Sequence, residues 1–372
     1  MRLAFALFKY FPYGGLQRDC IKIAQECVRR GHQVDIYCME WSGPQPAKLN
    51  VEVLPIEAWP NYRRYEKFSS LVREYAAEKD YDALVGFNRM PGLDFYFGAD
   101  PSFALKLKQK PFWYKYLPRS RSFLDAERGV FGRESKTRIF MLSDMEIPHI
   151  QQYYRTPSSR FFLLPPGVEK DRLAPSDYVK RRIAFRNKLD VKPDQKLLLM
   201  VGSGFRIKGL DRALEALARL PSPLREKSLL MILGRDNQKP FERQAEKLGL
   251  AHQVRFMGGR DDVADFLFSA DLLVHPAYRE SAGMILVEAI AARLPVLVTD
   301  TCGYSFHIKN SGAGRVHSSP FNLQKFSQNM SDMLTLDPSV WQKAADDYLH
   351  KTDLFGLAER AADIIEGKVL TC

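Results

Sequence analysis

Apolar runs of strand length recur along the whole chain: LAFALF, QVDIYCM, DALVGF, FYFGAD, RIFML and FFLLPP, then KLLLMVG, LLMILG, VRFMGG, DLLVHP and PVLVTD. Segments with helical spacing, such as LQRDCIKIAQECVRRG and DRALEALARL, separate most of them. This alternation predicts an α/β protein with parallel, doubly wound sheets. A polar, charge-rich stretch over residues 170–196 interrupts the pattern. It sets the expected boundary between a first Rossmann-like unit, 1–172, and a second, 173–350, with 351–372 as a C-terminal helix returning to the first. Ligands of such sheets bind beyond the carboxyl ends of the strands, so motifs placed there matter most.

The remaining bulk properties narrow the class. With 372 residues, 45% of them hydrophobic and 27% charged, the chain can bury two cores. No apolar run approaches the ~18 residues of a membrane span. The opening MRLAFALF lacks a small-residue cleavage site and runs directly into FPYGGLQRD, which marks it as a first strand rather than a leader. Five cysteines, Cys20, Cys27, Cys38, Cys302 and Cys372, form no CxxC and indicate neither a disulfide framework nor a zinc site. A net charge of +11 points to an anionic partner without choosing among nucleic acid, membrane and phosphorylated substrate.

Candidate chemistry concentrates in HPAYRESAGMILVEAIAARLPVLVTD, residues 275–300. A strand ending near Ala277 and a helix over 281–293 put Glu280 in the turn and Glu288 inside the helix. Ser281, Ala282, Gly283 and Met284 then supply the N–H groups of a helix N-terminus, which favours an anion. From Gly283 to Glu288 the helix rises roughly 7 Å. One carboxylate can therefore meet groups on each side of a bound diphosphate, and the paired hydroxyls of a hexose and a ribose are suitable partners. VGSGFRIKGLDRALEA, after the first strand of the second unit, fits neither GxGxxG nor GxxxxGK[ST], which argues against a dinucleotide enzyme and a P-loop NTPase. Asp80-Tyr81-Asp82 is formally a DxD metal signature, but it precedes its strand and lies at the wrong end of the sheet.

The Glu-x7-Glu segment resembles the signature of retaining GT-B glycosyltransferases, which have two Rossmann-like doubly wound domains facing a cleft. Together with LFKYFPYGGLQRD, FNRMPGLDFYF, LPPG, LPVLVT and CGY, it is similar to the bacterial lipopolysaccharide core glucosyltransferases of family 4 over nearly the whole chain. These place the first outer-core hexose on an inner-core heptose. The resemblance implies that Glu280 holds the hexose, Glu288 the ribose and Lys208 the diphosphate. It also implies a Gly-Gly loop, Gly14 and Gly15, against the donor diphosphate, where a plain tight turn fits equally well. Asp19 becomes a candidate acceptor contact, or only a first-turn partner of the helix dipole. The arginine that relatives place near Lys208 is absent: Ser203 and Ile207 stand at its usual positions, leaving Arg206 and Arg172 as candidates. Arg260, in GGRDDV, falls in the turn near the nucleotide base. Asp100 stands where many members carry a histidine that touches the transferred sugar, and an ordinary loop acid would look the same.

Between residues 106 and 121 the chain reads KLKQKPFWYKYLPRSR, six basic residues and no acid. Lys106, Lys108, Lys110, Lys115, Arg119 and Arg121 interleave with Trp113, Tyr114 and Tyr116, within a segment of about 103–131. Basic and interfacial aromatic residues together suit an anionic membrane surface, while a basic insertion folded over the core is the plainer reading. The resemblance thus implies a UDP-sugar donor, a lipopolysaccharide inner-core acceptor and the cytoplasmic face of the inner membrane, with no cofactor, no metal and no nucleic acid. A UDP-N-acetylhexosamine donor, a GT-B-fold UDP-sugar epimerase and a non-catalytic membrane- or nucleic-acid-binding protein are the alternatives.

Overall fold

The computed structural model describes every residue except 13, 109 and 369–372, so Cys372 lies outside the described residues. Two compact units emerge, one of residues 1–167 with 356–372 and one of residues 168–355. The chain therefore leaves the first unit at Gly167, a little before the charge-rich stretch, and returns at Gly356.

The first unit holds a seven-stranded sheet. Across it run Asn50–Val53, Gln33–Cys38, Arg2–Ala6, Ala83–Gly86, Phe95–Gly98, Arg138–Met141 and Phe161–Leu163, all parallel. The chain winds outward from Arg2–Ala6 and then crosses back to its other side, so the switch point lies between Arg2–Ala6 and Ala83–Gly86. One core cluster joins Ala4, Ala6 and Tyr37 from the strands to Phe68 and Val72 from the Asn61–Glu78 helix and to Val130 and Phe131 from the Pro118–Phe131 helix. The C-terminal helix, Leu357–Ile365, packs on the Gly15–Arg29 helix of the same unit, where Arg30 donates to Asp363 at 2.6 Å and to Glu366 at 2.8 Å.

The second unit holds a six-stranded parallel sheet. Its order is Val254–Gly258, Ser228–Leu233, Lys196–Val201, Leu272–His275, Val296–Thr299, Gly314–His317. Every residue of Ser228–Leu233 is buried, as expected of a central parallel strand covered on both faces. The switch point here lies between Lys196–Val201 and Leu272–His275. The loops that leave those two strands, 202–209 and 276–283, carry Lys208 and Glu280.

Asp80-Tyr81-Asp82 is the turn its position predicts. Asp80 has φ +53°, and Asp82 accepts the Arg2 backbone N–H at 2.7 Å at the amino ends of the strands.

Candidate active site in the second unit

The helix after the strand Leu272–His275 spans Met284–Ala291, shorter than the 281–293 expected. Gly283 is its N-cap, with φ +94°, a conformation side chains rarely adopt. Ala282 consequently lies ahead of the helix rather than in its first turn, and its carbonyl accepts the Tyr304 N–H at 2.7 Å. The first N–H groups without intrahelical partners belong to the turn that starts at Gly283 and Met284.

Glu280 sits in the loop, tied by its backbone to the next strand's exit: its N–H donates to Thr301 at 3.1 Å and its carbonyl accepts from Gly303 at 3.0 Å. Its side chain is only 17% exposed, and the Lys208 ammonium donates to both carboxylate oxygens. From beneath, His275 Nε2 meets Glu280 Oε2 at 2.7 Å. Burial would raise the Glu280 carboxyl, but His275 and then Lys208 hold it down at about 2. An ionised carboxylate can accept hydrogen bonds from paired hydroxyl groups of a sugar.

The two loops are held together by backbone packing. Gly209 has φ +78°, and a Cβ there would stand 2.1 Å from the Pro276 carbonyl oxygen, so only glycine permits the approach. Arg212 reinforces the same contact. Its guanidinium lies 3.6 Å from the Tyr278 ring centroid and 4.1 Å from that of Phe321, and it donates to the Pro276 carbonyl at 3.2 Å.

Glu288 is the single charge in a helix whose remaining residues from Ile285 to Ala291 are buried and apolar. A carboxylate there is costly unless it is paired or meets a ligand. Arg172 approaches it, Nε to Oε2 at 3.8 Å, and also pairs with Asp171 at 2.6 Å. Thus Arg172 is brought to Glu288, and Lys208 to Glu280. Arg206 is exposed and makes no ion pair among the described residues. Arg260 is committed to Asp262, with bonds of 2.8 and 2.6 Å, and lies over the Phe266 ring.

Ligand atoms of His275, Glu280 and Cys302 lie within 4.8 Å of one another, a spacing that could hold a cation. One feature opposes it: the Lys208 ammonium already occupies both oxygens of the carboxylate.

In the first unit, Gly14 caps the Gly15–Arg29 helix, and a Cβ on it would overlap Gln17 Oε1, whose amide nitrogen donates to the Lys9 carbonyl at 3.0 Å. A Cβ added at Gly15 would meet no atom of another segment within 4 Å among the described residues. Asp19 is buried in that helix, and Asp100 is exposed two residues past the strand Phe95–Gly98, its carbonyl held by Arg89 at 2.6 Å.

The basic aromatic segment forms a short helix, Phe103–Leu107, a single turn, Phe112–Tyr116, and the start of the helix Pro118–Phe131. Phe112 is 80% exposed, Trp113 52% and Tyr116 55%, while Tyr114 is half-buried. Lys106, Lys108, Lys110, Lys115, Arg119 and Arg121 are all exposed. No helix among the described residues is long and apolar enough to cross a membrane.

Two residues escaped the sequence reading, His275 and Glu127. His275 had a usable signal, a polar residue closing an otherwise apolar strand. Glu127 had none beyond helical spacing. It is wholly buried and accepts from the backbone N–H of Ala104 at 3.0 Å and from Tyr154 at 2.7 Å, and it pairs with Arg89 at 3.0 Å.

Comparison with known proteins agrees with this geometry. Residues 13–172 match the model of Glycosyltransferase Family 4, and residues 181–348 that of Glycosyl transferases group 1. The lipopolysaccharide glucosyltransferase WaaG of Escherichia coli (strain K12) is 42% identical over 370 residues, 99% of each chain. A D-inositol 3-phosphate glycosyltransferase of Streptomyces bingchenggensis is 26% identical over 60% of this chain and 51% of its own. Among solved structures, the crystal structure of WaaG, described as a glycosyltransferase involved in lipopolysaccharide biosynthesis, superposes with a TM-score of 0.92, covering 98% of this chain and 100% of that one. Sucrose-phosphate synthase of Thermosynechococcus elongatus, at 16% identity and a TM-score of 0.78 over 99% of this chain and 98% of its own, shares the fold. Two doubly wound parallel sheets with the charged cluster at the switch point of the second define a glycosyltransferase of GT-B fold. The chain belongs to the family of WaaG-like lipopolysaccharide glucosyltransferases.

Proposed function

We propose that this protein transfers glucose from UDP-glucose to a heptose of the lipopolysaccharide inner core, with retention of configuration and without a metal. The observation that carries this reading is the largely shielded Lys208–Glu280–His275 cluster beside the N-terminus of Met284–Ala291. Identity of 42% to a lipopolysaccharide glucosyltransferase supports the choice of donor sugar and acceptor class.

In this mechanism Lys208 turns to the diphosphate, and the helix N-terminus adds its dipole, together supplying the charge stabilisation that a metal would otherwise give. Glu280 accepts hydrogen bonds from hexose hydroxyls, and Glu288 from the ribose. Attack is from the front: the acceptor oxygen bonds to the anomeric carbon as the bond to the β-phosphate oxygen breaks, and that oxygen takes the acceptor proton. Asp19 is assigned to the acceptor, Asp100 to the transferred sugar, and Gly14 and Gly15 to a close backbone approach to the donor diphosphate. Exposed aromatic rings and cations over residues 106–121 dock reversibly on an anionic leaflet, each cation contributing about 1 kcal/mol.

The test is UDP release by the purified protein with UDP-glucose, UDP-galactose and their N-acetylamino forms, in EDTA, with and without core-truncated lipopolysaccharide. Release from UDP-glucose alone, dependent on acceptor and indifferent to EDTA, is the expected result. Acceptor-independent release would favour an epimerase, and loss in EDTA would overturn the metal-free mechanism.

A further inference from the structure

His275 ends the strand Leu272–His275, where its backbone is registered against Val298, and its side chain is wholly buried. Only one of its ring nitrogens is used. Nε2 meets Glu280 Oε2 at 2.7 Å, and Nδ1 has no hydrogen-bond partner among the described residues. Because an ionised carboxylate can only accept, the shared hydrogen belongs to Nε2. A leucine or phenylalanine could fill this volume without leaving a buried nitrogen unmatched, so packing does not account for the histidine.

The two donors to Glu280 differ in stiffness. Lys208 reaches it on a flexible four-carbon stem from the glycine-flanked loop between Gly202 and Gly209. His275 is a rigid ring on a central strand of the sheet. We infer that His275 is a positioning residue for the transfer: its Nε2–H keeps the Glu280 carboxylate aimed at the sugar after Lys208 has turned to the donor diphosphate. This rests on the reading that Glu280 binds the transferred hexose. Cys302, the third group at this point, stays a neutral thiol and supplies no competing charge.

The experiment compares His275→Gln and His275→Met with Glu280→Gln and the wild type, measuring kcat, KM for UDP-glucose, UDP affinity by calorimetry and Tm. Glutamine keeps an N–H donor near the position of Nε2, and methionine does not. His275→Met should lower kcat by about a hundredfold, the cost of misplacing a contact group by about an ångström. UDP affinity should hold, and His275→Gln should recover most of the loss.

Wild-type kcat in His275→Met beside an inactive Glu280→Gln overturns the inference and leaves the reading of Glu280 standing. Equal kcat losses in both histidine variants at unchanged Tm also overturn it, as does a parallel fall in UDP affinity. Full activity in Glu280→Gln removes the reading itself. Side-chain nitrogen NMR of the wild type gives a check that needs only the glutamine variant for assignment. The His275 Nε2 hydrogen should persist when UDP-glucose is added, and its loss would contradict the role.

Discussion

Around Glu280 the charged groups are largely shielded from solvent and committed to one another, whereas along residues 106–121 the cations are exposed and make no ion pair among the described residues. The second unit fixes its carboxylate with a strand-borne histidine, a lysine and a glycine-only backbone contact. In the first unit the basic segment is anchored at its root by buried polar contacts. There Glu127 accepts from the backbone at Ala104, while Arg89 donates to the Asp100 carbonyl at 2.6 Å and that of Pro101 at 2.8 Å. Bond making needs preorganised charge in a dry place, where electrostatic contacts are strongest. Docking on a fluid surface needs many weak, solvated contacts that adapt. The contrast therefore predicts large, local effects from substitutions in the first region and small, additive ones in the second.

The sharpest break is Glu280→Gln, which should cut kcat by about two to three orders of magnitude, the scale of losing one preorganised contact of the transition state. Calorimetric UDP affinity should stay near that of the wild type, and an equal loss of both would remove the distinction between sugar and nucleotide carboxylates. Lys208→Met comes next. Stripped of its cation, the mostly buried Glu280 should cost about 3 kcal/mol of stability, and denaturant titration should show less than additive loss in the Lys208→Met, Glu280→Gln double variant.

Acid is a third probe. The folded Glu280 carboxyl is held at about 2, below its ordinary 4.5, so its contribution is complete above roughly pH 4.5 and is lost as pH falls toward 2. That difference amounts to about 3 kcal/mol at most. Unfolding followed across this window should be less pH-dependent in Glu280→Gln than in the wild type. A smaller change is expected for Glu288→Ala, which should weaken UDP binding about tenfold, or about 1.4 kcal/mol, with kcat at saturating donor largely retained. The smallest single effects belong to the basic segment: each Lys→Ala at 106, 108, 110 or 115 should reduce partition onto anionic vesicles by about 1 kcal/mol, read by co-sedimentation.

Much of this organisation was legible in the chain because buried parallel strands leave uninterrupted apolar runs. LLLMV and SLLMIL could scarcely be anything else. Asn50–Val53 and Gly314–His317 were not found, since both lie at sheet edges, half-exposed, with polar residues breaking the run. Helix bounds around the site were overextended because Ser281 and Ala282 suit a first turn, yet the left-handed Gly283 postpones the helix to Met284. Spacing revealed Glu280 and Glu288 but not what holds them. His275 lies five positions before Glu280 and Arg172 lies in another segment altogether, and only the tertiary fold brings each to its carboxylate. Arg206 shows the reverse, a cation within the Lys208 loop that is exposed to solvent.

The central claim is that transfer resides in the buried cluster and membrane docking in the exposed segment. It is tested most directly by acceptor-dependent UDP release from UDP-glucose, measured in detergent and on anionic vesicles for three proteins. These are the wild type, Glu280→Gln, and a variant with Lys106, Lys108, Lys110 and Lys115 changed to Glu. The account predicts that Glu280→Gln loses about two to three orders of magnitude of turnover in both media, while the charge-reversed variant matches the wild type in detergent and fails on vesicles. Turnover by Glu280→Gln near the wild-type rate in either medium, or loss of detergent activity in the charge-reversed variant at unchanged Tm, would contradict it.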